Sequence, residues 1–313
     1  MYWHGILDYS GRENRRLAEV RKIGESLPAL QPLAGSRYEA RVAVLNDYDN
    51  RFDSELDRWH GRLSEASEKG LFTALTLTHT PCDYVYLPEA LEELKRYPVL
   101  FYPHPCIMTE ERARILTDYV RDGGTLIVGC RAGYKDERGQ AVSEKLPGLL
   151  TELLGVDVPE YGLLPPEEPA PISEPGGYEA AVFLDEAVPL GKEAEALEAW
   201  TAPSGERTPA LISHPFGKGE TWYYASVFTE ETVRKLLSHL HAAEPYGELI
   251  EAPEQVEIAV RVKGEERFLF ALNYGRTEET VVLKEPMRAL LTGEIQQGSV
   301  TLPKYGAMVW KEQ

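Results

Sequence analysis

The stretch Tyr97–Asp136, YPVLFYPHPCIMTEERARILTDYVRDGGTLIVGCRAGYKD, constrains the fold more than any other part of the chain. Val99 to Tyr102 and Leu126 to Val128 are apolar runs without polar alternation, the pattern of strands covered on both faces of a parallel sheet. Between them the sequence predicts a helix. Thr109 can cap its first turn, Glu110 and Glu111 place negative charge at the positive end of its dipole, and Gly123-Gly124 permits a left-handed exit. Ala113, Leu116 and Val120 fall on one face. The unit reads as βαβ with a right-handed crossover.

Upstream, Val42 to Leu45 is a strand that runs into Asn46-Asp47-Tyr48-Asp49-Asn50, and an amphipathic segment follows from about Ser54 to Leu77. Tyr84 to Leu87 reads as a further strand and Pro88 to Arg96 as a short helix. These elements predict an α/β fold, a flavodoxin-like (class I amidotransferase-like) doubly wound sheet. After a helix near Leu146 to Leu154, the prolines from Pro159 to Pro175, Pro166 and Pro169 among them, predict an extended loop. Phe216-Gly217-Lys218-Gly219 predicts a hairpin turn, and a helix follows over Thr229 to Ala243. From Glu248 the period becomes two: Val256, Ile258, Val260 and Val262 alternate with polar or small residues, and a small antiparallel β domain is expected. Residues 12 to 27 form a helix whose apolar stripe, Leu17, Val20, Ile23 and Leu27, has no strand before it to receive it.

A length of 313 residues fits more than one domain, and 51 acids against 33 bases give a net charge of −18. That balance argues against nucleic-acid or anionic-membrane partners, which need clustered Lys and Arg. No apolar run approaches the roughly 20 residues of a membrane span, and the first residues lack a signal-peptide pattern, so a cytoplasmic location is expected. Cys82, Cys106 and Cys130 form no CxxC and have no neighbouring His pair, so they predict buried thiols with no metal site and no cofactor.

Two groups of residues could carry chemistry. Gly129-Cys130-Arg131-Ala132-Gly133 resembles a nucleophile elbow, which would make Cys130 the centre of an amidotransferase-like hydrolase. A polar loop follows it, however, where an elbow needs a helix to lower the thiol pKa. The loops bearing Asp47, Asp49 and Asn50 and bearing Arg131, Lys135 and Asp136 both fall at the carboxyl edge of the sheet, where a substrate or a neighbouring subunit can be met. Trp59-His60 and Trp3-His4 are aromatic pairs able to stack on sugar or on a neighbour, so a carbohydrate-binding module using Trp59 or the terminal β domain is a third reading.

Taken in order, several segments resemble the C-terminal half of the β-galactosidases of glycoside hydrolase family 42. YWHGILDYSGRENRR looks like the close of that family's catalytic (β/α)₈ barrel, and VAVLNDYDNRFDSELDRWHG like the opening of its trimerisation domain. DGGTLIVGCRAGYKDERG is similar to a later signature, and LFALNY, LLTGE and LPKYGAMVW resemble its closing β domain. The resemblance implies a barrel-helix remnant at 1–37, a trimerisation domain at 38–247 and a β-sandwich-like domain at 248–313. It implies assembly as a homotrimer, with a separate catalytic barrel as a further partner and Asp47, Asp49, Asn50, Arg51, Trp59, Arg131, Lys135 and Asp136 as residues of the subunit-facing or substrate-facing edge. The family's two catalytic glutamates lie on barrel strands, so the chain alone is expected to be non-catalytic. Its cysteines do not reproduce the zinc-binding cluster of some members.

Overall fold

The protein is described from a computed structural model covering residues 5–165, 170–201 and 207–313. Trp3, His4, Pro166 and Pro169 lie outside the described residues. The chain divides into two compact units, one of Ala40–Pro245 and one of Met1–Glu39 with Tyr246–Gln313.

The second unit begins with helix α1 (Arg15–Leu30), capped by Asn14, and strand β1 (Arg37–Tyr38). None of the residues of α1 is buried, and Val20, Ile23 and Leu27 are exposed.

The unit Ala40–Pro245 opens with β2 (Val42–Asn46), α2 (Tyr48–Leu56), α3 (Arg58–Leu77), β3 (Cys82–Tyr86), α4 (Leu91–Leu94) and β4 (Val99–Tyr102). It continues with α5 (Glu110–Arg121), β5 (Thr125–Gly129), α6 (Thr151–Leu154), β6 (Val156–Leu163), β7 (Ser173–Glu174), β8 (Phe183–Pro189) and β9 (Glu195–Thr201). β10 (Arg207–Phe216), β11 (Gly219–Tyr224) and α7 (Glu230–His239) complete it. The expected caps are present: Thr109 accepts from the Arg112 amide and Thr229 from the Thr232 amide. Val99–Tyr102 is buried at every position, as its unbroken apolar sequence requires.

These strands do not form a flavodoxin-like doubly wound sheet. The sheet is mixed, in the order β3-β2-β4-β5-β11-β10-β9-β7. β3, β2, β4, β5 and β11 run parallel, whereas β10, β9 and β7 add antiparallel strands. The physical reason lies between β5 and β11. A doubly wound sheet needs a covering crossover helix there, but this segment spends its backbone hydrogen bonds on strands, including a separate two-stranded β6–β8 ribbon. The part of the proline-rich stretch read as loop therefore contributes β6 and β7.

The remainder of the other unit is antiparallel: β12 (Ile250–Glu251), β13 (Val256–Lys263), β14 (Glu266–Asn273), β15 (Glu279–Ala289), β16 (Ile295–Leu302) and β17 (Ala307–Glu312). Its order is β1-β13-β14-β17-β15-β12, with β16 on β15. Val256, Ile258 and Val260 join Leu269, Leu283 and Trp310 in one core, and the Trp310 indole donates to Gln296 Oε1 at 2.8 Å. Among the described residues, no helix is long and apolar enough to cross a membrane.

Candidate functional site

The loops that follow β2 and β4 meet at the carboxyl ends of the parallel strands, where an α/β sheet leaves a crevice. Asp47 caps α2: its Oδ1 accepts from the Asn50 amide at 2.8 Å, and its Oδ2 accepts from Asn50 Nδ2 at 2.7 Å and from the Tyr102 hydroxyl. Asn50 holds Ile107 from both sides, with Nδ2 donating to its carbonyl at 2.9 Å and Oδ1 accepting from its amide at 2.8 Å. Arg112, reaching across from α5, pairs with Asp47 at 3.2 Å and with Asp49. Asp47 and Asn50 are buried, and burial together with the Asp47 charge drives the Tyr102 pKa well above its usual value.

A second cluster lies where α2 breaks into α3. Asp57 caps α3 through Oδ1, while its Oδ2 accepts from Arg131 Nη2 at 2.8 Å and Lys135 Nζ at 2.9 Å. Lys135 also lies 2.8 and 2.9 Å from the two oxygens of Asp53. Burial alone would raise the Asp57 pKa, but the bonds from Lys135 and the His60 amide and the charge of Arg131 outweigh it and hold the carboxyl well below its ordinary range.

His60 sets Nδ1 2.6 Å from Asp53 Oδ2 and Nε2 3.1 Å from the His104 carbonyl. Burial lowers its pKa against the opposing pull of Asp53. His104 is neutral: Nδ1 donates to the Cys130 carbonyl at 2.8 Å and Nε2 accepts from Ser67 Oγ at 2.7 Å, while burial brings its pKa down to about 3. Ser67 in turn accepts from the Phe228 amide at 2.9 Å. This histidine–serine pair is consumed in joining four chain segments.

The elbow at Cys130 folds differently from a nucleophile elbow. Arg131 takes a left-handed φ of 62°, and its amide donates to Asp185 Oδ2 at 2.8 Å. Tyr134 and Tyr223 donate their hydroxyls to the same buried carboxylate. Gly133 is required, because a Cβ there would meet the Pro147 carbonyl oxygen at 1.9 Å. Cys130 has no exposed surface, and burial pushes its thiol far above the ordinary value, the opposite of an activated nucleophile.

Asp53, His60 and Cys106 place their donor atoms within 4.8 Å of one another, a possible metal grouping. The Lys135 ammonium already sits against both Asp53 oxygens, and burial pushes the Cys106 thiol up to about 12, so the charge of this cluster is balanced by its own side chains.

The remaining predicted residues are peripheral. Arg51 is exposed and donates to the Tyr86 hydroxyl at 3.0 Å. The guanidiniums of Arg58 and Arg62 each lie over the Trp59 ring, at 5.7 and 5.0 Å from its centroid. Asp136 accepts from the amides of Arg138 and Gln140, which tightens its own turn. A cleft of about 400 Å³ opens beside Asp47 and Arg51 toward Glu68, Tyr84 and Tyr86. Sequence reasoning brought forward Arg131, Lys135 and Asp47 but missed Asp53, His104, Arg112 and Asp185. The break between α2 and α3 that brings Asp53, Asp57 and His60 together is not marked in the sequence, and nothing local marks Asp185.

In these geometries most polar groups pair with one another, Arg112 Nε and Arg131 Nε excepted, and fix loops at a sheet edge, which defines a scaffold-type α/β domain followed by an antiparallel β unit. Residues 40–245 match the family described as "Beta-galactosidase trimerisation domain", and residues 255–312 match "Beta-galactosidase C-terminal domain". The chain therefore belongs to glycoside hydrolase family 42, of which it comprises the trimerisation and C-terminal domains. It is 29% identical to β-galactosidase LacZ of Heyndrickxia coagulans, covering 90% of this chain and 45% of that protein. It is 28% identical to β-galactosidase BgaP of Planococcus sp. strain L4, covering 98% and 47%. The crystal structure of the β-galactosidase from Bacillus circulans sp. alkalophilus superposes with a TM-score of 0.85 at 25% identity, covering 99% and 47%. The chain thus spans about half the length of the curated relatives it matches.

Proposed function

We propose that this chain is the assembly portion of a β-galactosidase and forms a homotrimer through the domain at 38–247. Hydrolysis of terminal β-D-galactosides belongs, in this reading, to a (β/α)₈ barrel that residues 1–37 adjoin, and the chain alone does not turn over substrate. The observation that carries the reading is the match of the trimerisation family to residues 40–245. The internally cross-linked polar clusters support it, since a scaffold needs fixed loops rather than free nucleophiles. Asp49, Arg51 and Trp59 have exposed atoms able to touch a neighbour. Asp47, Asn50, Arg131, Lys135 and Asp136 act by holding the edge that presents them. The site of action is the cytoplasm, where Cys82, Cys106 and Cys130 stay reduced.

Light scattering over a range of concentrations tests the assembly. The expected mass is about 105 kDa, three times 35.1 kDa. A persistent monomer of 35.1 kDa overturns the reading. A nitrophenyl galactoside assay of the same sample is expected to show no turnover, and measurable hydrolysis that follows the protein through purification would refute the non-catalytic part.

A further inference from the structure

Helix α3 carries His60, Ser64, Glu68 and Phe72 at four-residue spacing, one row along the helix, buried at His60, half-buried at Ser64 and exposed at Glu68 and Phe72. Tyr84 and Tyr86 share one face of β3, because strand side chains alternate with a period of two. The row and the two rings wall the cleft of about 400 Å³, together with Asn46 at the end of β2 and Pro103 just after β4. β2 and β4 are parallel neighbours whose connections leave in opposite directions, β2 to β3 on one side and β4 to β5 on the other. Such a divergence opens a crevice at the carboxyl ends of the strands, where α/β sheets take up small ligands. The volume falls within the roughly 300–1,000 Å³ of small-molecule sites.

The buried end of the cleft is spent, since His60, Asp47 and Asn50 bond to protein groups. Its outer wall is not. Among the described residues, the side chains of Asn46, Ser64 and Glu68 and the Tyr84 hydroxyl have no hydrogen-bond partner. Burial, with Cys82 and Glu68 nearby, pushes the Tyr84 hydroxyl up to about 12, so it stays protonated and able to donate. The Tyr86 hydroxyl accepts from Arg51 Nη1 at 3.0 Å and keeps its own proton to give. Tyr86 has Tyr48 stacked on it at 5.0 Å, whereas Phe72 and Tyr84 have no ring partner among the described residues.

The open groups narrow the ligand. Glu68 accepts, Tyr84 and Arg51 donate, Ser64 and Asn46 do both, and the exposed charge is one arginine against one glutamate. An anion would meet Glu68 and a cation Arg51. A monosaccharide is the complement: neutral, with hydroxyls that donate and accept around its rim and C–H faces for aromatic rings. We propose that the cleft between α3 and β3 binds a neutral monosaccharide, with Glu68 accepting from its hydroxyls and Tyr84 donating to one of its oxygens. Only the choice of galactose as the sugar rests on the β-galactosidase reading above.

Equilibrium dialysis of the full chain against radiolabelled D-galactose, D-mannose, L-alanine and inorganic phosphate, each in turn, is the test. Galactose is expected to bind saturably with a millimolar Kd, and alanine and phosphate are expected not to bind. Glu68→Ala and Tyr84→Phe, both at exposed positions, should each weaken galactose binding at least about 10-fold with an unchanged circular dichroism spectrum, whereas Tyr274→Ala, an exposed ring in the other unit, should leave it within about twofold. Absence of saturable sugar binding overturns the proposal, as does binding that both cleft variants retain. Saturable uptake of alanine or phosphate in place of sugar overturns the ligand class. Mannose bound in place of galactose, and lost in the two variants, upholds the cleft and refutes the choice of sugar. Light scattering of the same samples keeps the assembly separate: a monomer that binds galactose leaves the cleft standing, and a trimer that binds no sugar overturns the cleft alone.

Discussion

At the scale of single residues, Asp57 shows how this edge is held. It serves as a helix cap and as the shared acceptor of Arg131 and Lys135, with only 19% of its side chain exposed. Asp57→Asn keeps an oxygen for the cap but removes the charge, and is expected to cost about 2 kcal/mol at pH 7 by chemical denaturation. The sign with pH follows from the depressed folded pKa. Stability from this group is fully present above the unfolded value of 3.8 and is lost as the pH falls below it toward the folded value. The gap between the unaltered protein and Asp57→Asn should therefore narrow toward pH 3, and a constant gap would deny the charge its role.

The thiols give a second test at this scale. Cys82 is half-buried, whereas Cys106 and Cys130 are buried with their pKa values raised. A thiol reagent at neutral pH should titrate Cys82 first and the other two only after denaturation. Rapid native-state labelling of Cys130 would restore the nucleophile reading that its burial opposes.

At the scale of elements, close packing of α3 on the entry to α7 depends on one glycine. A Cβ at Gly70 would meet the Phe228 carbonyl oxygen at 1.9 Å and the Thr229 carbonyl carbon at 2.8 Å, and both are backbone atoms that cannot rotate away. Gly70→Ala, favourable for helix propensity, is expected instead to lose about 2 kcal/mol. A rise in melting temperature would mean that the two elements can separate without cost.

The same scale explains what was legible in the sequence. β4, α5 and β5 were readable because apolar runs, a Thr cap and a Gly-Gly exit all pointed the same way. β9 was not: EALEAWT is composed of good helix formers, and its strand state comes from pairing with β10, which local propensity does not encode. β8 was hidden because FLDEAVP buries an aspartate, and only the distant hydroxyls of Tyr134 and Tyr223 make that tolerable. For the site, the Asp47 cap could be read from its neighbours. The Asp53, Asp57 and His60 cluster could not, because 54–77 read as one amphipathic segment while the structure ends α2 at Leu56 and starts α3 at Arg58.

At the scale of the whole molecule, the division into two units makes a prediction about where assembly information resides. Ala40–Pro245 falls within the usual size of a domain, about 50–250 residues. It contains every strand of the eight-stranded sheet and the helices α2 to α7. If these suffice, residues 40–245 expressed alone should fold cooperatively and give three times their own mass in solution. α1, with no buried residue, should meanwhile be the first segment of the full chain cut by trypsin, at Arg15, Arg16, Arg21 or Lys22. A folded but monomeric 40–245 would place essential contacts in residues outside that range. An unfolded one would mean that the mixed sheet draws its stability from the rest of the chain, and the trimer contact would then have to be sought on both units.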